Sequence, residues 1–534
     1  MRAWWQSLRV TYLSVDPRSL GLFRILFGLV LLSDLGRRWA ELDFWYTNSG
    51  LLPNHTLLWR PPTPRMFSLF FTVSTHTEAQ VGFVLCGLVY LAFILGYRTP
   101  WAQFLALLAR VSLNSRLAVL ENGGDMVMDL LCLFSLALPL GTRFSIDAVA
   151  AAKREGLAPG EVPDSARRPV VSLAMLGLIL QFAAIYFFNA ISKGGTAWRD
   201  GSAVHFALHQ DKLVTSLGVW MREQLPVPVL RVLTRTTLAT EWTGFLLVIT
   251  PVFVRQSRLL AVCAMPLLHF GFGLGLNLGG FSPAMMSFFA LLLVADDWDW
   301  LNARLGTRTQ RARDAARRAA LWLLQRAPVP PTTPRPRWRR LATEGGIVVL
   351  ILAIASEALN DNSSVPQALR VHQPAWAKAI IEYPRILQGW RMFASEPPRN
   401  DSMIYVEATT ATGARVDPYN EVASDQPYPA GAVVPTHMGQ SQYFVMYSER
   451  ISNVSYTAYR QAFSEWLVAY PERTGRPEDC LLSYEVYLVT DQSPPIGQRH
   501  PKPLDRQSFM SYRAPHGGTC KPLRTPPAPA RARN

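Results

Sequence analysis

The apolar residues of this chain arrive in blocks rather than evenly. Runs at about 19–36, 79–96, 99–119, 126–141, 170–191, 237–254, 259–276, 281–295 and 345–359 approach the roughly 20 residues a helix needs to cross a bilayer. The third run contains Arg110, and the fourth and eighth are short. The pattern predicts an all-α polytopic membrane bundle of about nine spans. Eight spans fall within residues 1–300 and the last at 345–359, with a linking loop at 301–344. Past the last span the period changes. "SMIYVEATT", "SQYFVMY" and "LLSYEVYLV" alternate as strands do, and "YTAYRQAFSEWLVAY" has helical apolar spacing. Residues 360–534 therefore read as an α+β extramembrane domain with an antiparallel sheet. Its last segment, "TPPAPARARN", has the composition of a disordered tail.

Composition agrees: 49% of the 534 residues are hydrophobic and 17% charged, against about 25% charged in soluble proteins. The formal charge is +15, and residues 301–340 carry eleven arginines and one acid, Asp314. Ala, Leu and Trp interrupt those arginines at helical spacing. That favours an amphipathic helix on anionic lipid headgroups over nucleic acid, which is not an expected partner. With the Arg-rich loop inside, the inside segments hold 22 Lys and Arg residues and the outside loops 11. The bias predicts an N-terminus inside and an exported C-terminal domain outside. The first apolar run lacks a small-residue cleavage site and reads as a retained anchor. Cys86, Cys132 and Cys263 fall within spans; Cys480 and Cys520 fall in the exported domain, where a disulfide between them is one expectation.

There is no P-loop, dinucleotide fingerprint, nucleophile elbow or HExxH. His205 and His209 in "HFALH" have the spacing to share a metal but lack a third ligand, so no metal is predicted. Ionisable groups in or beside spans say more, because hydrocarbon penalises them. These are Arg24, Asp129, Glu241 and His269, each readable as a packing contact or as part of a pocket. Asn122 and Asp125 bracket a turn in "LENGGDMVMD", where Asp125 either caps the next helix or faces a site. Lys193, in "AISKGGTAWRDG", is the first charge after twenty apolar residues. It is either a snorkelling anchor or an amine whose basicity burial lowers towards neutrality.

The run "YFFNAISKGGTAWRDGSAVHFAL" resembles the segment around the active lysine of vitamin K-dependent γ-glutamyl carboxylases, with Lys193, Trp198 and Gly201 at the matching spacing. "EWTGFLLVITPVF" and "PLLHFGFGLGLNLGGF" resemble the following spans, with Glu241 at an acidic position and His269 at a histidine. "SLGLFRILFGLVLLSD", "WYTNSGLLP", "LGYRTPWAQF" and "NGGD…LPLGTRFSID" resemble the bacterial branch, the HTTM (horizontally transferred transmembrane) domain. "LQGWRMFASEPP" resembles the link into the extramembrane domain. The resemblance implies a reduced quinone of the menaquinone or vitamin K type as cosubstrate, with Lys193 as the initiating base. Oxygenation of the deprotonated quinol would generate the base that removes a glutamate γ-proton, and the carbanion would capture carbon dioxide. Trp198 and Gly201 would shape the turn, with Glu241, His269, Asn122, Asp125 and Arg24 as supporting pocket candidates. The sequence departs from the animal carboxylase at "ENGGDM", where Gly124 or Asp125 stands at the place of an assisting histidine.

Two functions from different classes follow. One is a quinol-dependent, γ-carboxylase-like membrane enzyme of the carbon–carbon lyase type, taking a peptide or protein acceptor on the periplasmic side. The other is a non-catalytic membrane protein that binds a partner or lipid through its exported domain.

Overall fold

The structure is a computed structural model, and it describes residues 6, 8–158, 161–330, 336–423, 441–498 and 505–515. The chain is mainly helical up to Asp361. Helix α1 (Pro17–Ala40) starts where the Asp16 side chain accepts from the Arg18 N–H and Pro17 occupies the first turn. It is followed by α2 (His76–Leu95), α3 (Thr99–Arg116), α4 (Gly123–Ser135), α5 (Leu173–Ser192), α6 (Val227–Ile249), α7 (Val254–Gly275) and α8 (Phe281–Phe288). Helix α9 (Ala295–Arg326) then turns 97° away from the segment Phe281–Leu292, and α10 (Arg337–Asp361) completes the bundle.

Contacts at the helix ends gather them at two poles. At one, Arg18 pairs with Asp299, Ser19 donates to the Leu293 carbonyl, Tyr12 to the Ile249 carbonyl, and the Glu344 carboxylate accepts from the Leu173 N–H. The Arg-rich helix α9 lies at this pole. At the other, Arg385 pairs with Glu121, Ser441 donates to Glu41, and Lys212 pairs with Glu449 and Asp401. The C-terminal domain docks here.

By length and composition, five helices can cross a membrane: α1, α2, α5, α7 and α10. The bent pair formed by Phe281–Leu292 and α9 would make a sixth. The expected count of nine is not reached by this measure, and the reason is visible in the remaining helices. Helix α3 buries Arg110, Asn114 and Arg116 against its neighbours, so its polar residues face protein. Helix α4 has 13 residues and α8 has 8, both short of a bilayer. Helix α6 carries Arg231, Arg235 and Glu241.

The C-terminal domain contains a five-stranded antiparallel sheet. In chain order its strands are β1 (Asn400–Thr410), β2 (Arg415–Asp417), β3 (Val422–Ala423), β4 (Leu481–Gln492) and β5 (Asp505–Arg513), and they lie in the order β3-β2-β1-β4-β5. "SMIYVEATT" and "LLSYEVYLV" form the central pair as expected, in a register that sets Asp401 opposite Asp491. "SQYFVMY" does not form a strand. Ser441 accepts from the Tyr443 N–H and starts helix α11 (Gln442–Ser452), whose Phe444, Tyr447, Ser448 and Ile451 are buried at helical spacing. "YTAYRQAFSEWLVAY" is helical in α12 (Arg460–Val468), preceded by a 3₁₀ turn. The rings of Phe444, Phe463 and Trp466 pack with Trp45 and Phe44 from the membrane part, with Trp45 and Phe444 centroids 4.8 Å apart. The aromatic seam joins the two parts into one core. Cys86, Cys132 and Cys263 are free thiols, and Cys263 is exposed rather than packed inside. Cys480 is disulfide-bonded, whereas Cys520 and the segment "TPPAPARARN" lie outside the described residues.

Candidate functional site

Helix α5 opens with Ser172 accepting from the Ala174 N–H and runs as one apolar rod to Ser192. Its face at positions 186, 189 and 193 repeats at helical spacing and turns Tyr186, Asn189 and Lys193 to the same side. Lys193 ends the helix, its N–H reaching the Ala190 carbonyl at 3.2 Å. A short helix, Thr196–Asp200, follows and stops at Gly201, whose φ of +85° favours glycine. This turn brings Trp198 back over the amine. Lys193 Nζ stands 4.7 Å from the Trp198 ring centroid, and Trp198 Nε1 donates to the Phe393 carbonyl at 3.0 Å.

The anchor reading of Lys193 requires an ammonium that reaches water. Lys193 is instead 7% exposed and ion-paired with both carboxylate oxygens of Glu241, itself 4% exposed. Burial pushes the lysine below its usual range, while the Glu241 charge and hydrogen bond oppose that fall. The pair opens on a cavity of about 620 Å³ walled by α5, α6, α7, the start of α4 and the Met392–Phe393 link. The walls are mainly apolar. Their polar members include Lys193, Glu241, Asn189, Tyr186 and His269. Asn189 accepts from the Met392 N–H at 2.9 Å, and Tyr186 Oη lies 2.7 Å from His269 Nε2. On the α6–α7 side the lining includes exposed Thr236 and Leu267 and half-buried Thr240.

A family model, the HTTM domain, matches residues 12–298, more than half of the chain. The chain belongs to the HTTM domain family. Comparison with curated proteins and with solved structures gave no match.

Within the HTTM domain, Lys193, Trp198, Glu241 and His269 come together at this cavity, and Gly201 closes the turn beside it. Asn122 and Asp125 do not line it. They form a reciprocal cap on α4, with Asn122 Oδ1 accepting from the Gly124 N–H at 2.9 Å and Asp125 Oδ2 accepting from the Asn122 N–H at 3.2 Å. Asp125 caps the helix and also lines a second cavity of about 360 Å³ with Asp34, Arg37, Glu41 and Asn122. Behind that cavity, Arg38 and Arg110 each reach Asp125 at 2.6 Å, Arg38 reaches Asp34 at 2.8 Å, and Arg110 reaches Asp129 at 3.3 Å. Asp129 is thus one member of a buried charge network.

Arg24 lies apart from both cavities. Its guanidinium donates to the carbonyls of Ile94, Leu140, Arg143 and Phe144, which ties the loop at the Arg-rich pole. His205 bonds with the Pro494 carbonyl and His209 with the His205 carbonyl. Among the described residues no three His, Cys, Asp or Glu side chains form a metal-binding group. Tyr186, Asn189, Arg38 and Arg110 were absent from the sequence candidates. The first two share a face with Lys193, a signal available in the spacing. The Arg38 partnership joins residues 87 apart and carries no local signature.

Proposed function

We propose that this HTTM protein uses Lys193 as a base on a lipid-soluble quinol in the apolar cavity. The observation that carries the reading is the buried Lys193–Glu241 pair opening on that cavity. The lining suits a reduced quinone of the menaquinone or vitamin K type. Apolar walls match a fused ring and isoprenoid tail, and the exposed residues on the α6–α7 side suit exchange with the bilayer. When bound, the quinol supplies reducing equivalents for oxygen chemistry.

Burial disfavours the ammonium while the Glu241 carboxylate supports it, so Nζ is poised to lose and regain a proton. The neutral Nζ takes a hydroxyl proton and becomes an ammonium, while Glu241 and the Trp198 face hold its position and charge. Trp198 and the apolar walls exclude water from the amine. The finer reading is γ-carboxylase-like chemistry on a peptide or protein acceptor approaching from the pole that bears the sheet domain. That pole is assigned to the periplasm of a bacterial inner membrane, with the N-terminus cytoplasmic.

The test is turnover by purified protein in nanodiscs supplied with menaquinol, oxygen, labelled bicarbonate and acceptor peptides. Removal of a general base lowers rates by about 10²–10⁴-fold, so Lys193→Ala is expected to lose at least 10²-fold in quinol oxidation. Equal turnover in wild type and Lys193→Ala, or none in wild type, would remove the base role. The latter result would leave partner or lipid binding as the function.

A further inference from the structure

The apolar cavity contains a second hydrogen-bonded pair, about 10 Å further along the α5 axis than Lys193. His269 is 1% exposed, and its Nε2 lies 2.7 Å from Tyr186 Oη. Its Nδ1 is buried and has no hydrogen-bond partner among the described residues. Leaving such a nitrogen unpaired in an apolar interior is costly, so native proteins rarely do it without a reason. The ring lines the same cavity as Lys193 and is held by the rings of Phe272 and Phe281, with centroids 5.8 and 5.5 Å away. When Tyr186 donates to Nε2, the proton of a neutral imidazole sits on Nδ1, which is then a donor. The cavity therefore offers an amine at one end and an imidazole N–H at the other, with Asn189 between them already engaged by the Met392 N–H.

We infer that His269 Nδ1, oriented by Tyr186, holds the second oxygen of a ring that carries oxygens at opposite positions, with Lys193 facing the first. The inference rests on the proposed occupation of this cavity by a quinol and names the residue that recognises the oxygen opposite the one facing Lys193. A ring with one oxygen satisfies Lys193 or His269 but not both. Tyr186 is a positioning residue, because it acts through the imidazole.

Full-length protein in nanodiscs is titrated without oxygen against 2-methyl-1,4-naphthalenediol and against 2-methyl-1-naphthol. Wild type should prefer the diol by about tenfold, the value of one buried hydrogen bond. His269→Gln can still reach Tyr186 but has no atom at Nδ1, and should lose the preference. His269→Asn places its amide near Nδ1 and should keep part of it, which a purely structural role would not produce. Tyr186→Phe should weaken the preference without abolishing binding. An undiminished preference in His269→Gln overturns the assignment even where Lys193 proves to be the base. Loss of preference in His269→Gln, with turnover unaffected in Lys193→Ala, upholds His269 and removes the base reading. Absence of diol binding by wild type overturns both.

Discussion

At the scale of single residues, what a charge touches decides its role more than where it falls in the sequence. Lys193 follows an apolar run and Arg24 lies within one, yet the first meets a carboxylate over a cavity and the second meets four carbonyls. The lysine's type and its position after a span were legible in the sequence. Its partner Glu241, 48 residues on, was a candidate, but the pairing was not legible because it depends on how α5 packs against α6. The same dependence produces a titrating group in the sheet domain. Asp491 lies opposite Asp401 across β1 and β4; burial, Asp401 and Asp211 push its carboxyl up to about 6, against the pull of Arg222. Lys212, beside Asp401, and Glu449 complete the charges on this contact. A carboxyl with a raised folded-state pKa contributes stability that is fully present below its ordinary value near 3.8 and is lost as pH rises through about 6. Asp491→Asn should therefore flatten the fall in thermal stability between pH 4.5 and 7, by about 1 kcal/mol after solvent screening. Melting curves of the two proteins across that range check it, and parallel pH profiles would refute it.

At the scale of elements, close approach of backbones explains one reading, and the direction a helix face takes explains two others. "ENGGDM" reads as a capped turn, and α4 does begin there. A Cβ on Gly124 would stand 2.6 Å from the Phe281 backbone nitrogen, so α4 and α8 meet across a residue without a side chain. A side chain as large as histidine at position 124 would force α4 and α8 apart. A Cβ on Gly123 meets nothing nearer than the Met392 sulfur at 3.6 Å. Gly124→Ala should consequently destabilise the bundle by about 1–3 kcal/mol, while Gly123→Ala stays within about 0.5 kcal/mol. Unfolding temperatures in detergent separate the two, and equal effects would contradict the packing. The strand expected at "SQYFVMY" failed because alternation over seven residues also fits two helical turns, and the Ser441 cap and burial on the docked face decide between them. The spans expected at α3 and α4 do not meet a length-and-composition measure for a related reason: hydropathy averages a helix, whereas Arg110 and Asp129 turn inward and pair with one another.

At the scale of the whole molecule, charge and docking converge on one arrangement. The Arg-rich helix α9 and the sheet domain lie at opposite poles of the bundle. Arg304 lies over Trp300 and Arg326 over Trp322, at 4.5 and 3.8 Å from the ring centroids, and both tryptophans are exposed. Such pairs suit an interface where rings enter the headgroup layer and guanidinium groups meet anionic lipid. Positive segments tend to stay on the cytoplasmic side and disulfides form in oxidising compartments, so the proposed orientation agrees with the disulfide-bonded Cys480 of the docked domain. Val454 and Trp322 are exposed reporters at the two poles. In a background with Cys263 replaced by Ala, a membrane-impermeant maleimide should label Val454→Cys in intact spheroplasts and Trp322→Cys only after permeabilisation. The reverse pattern would invert the topology and, with it, move the mouth of the Lys193 cavity to the cytoplasmic face.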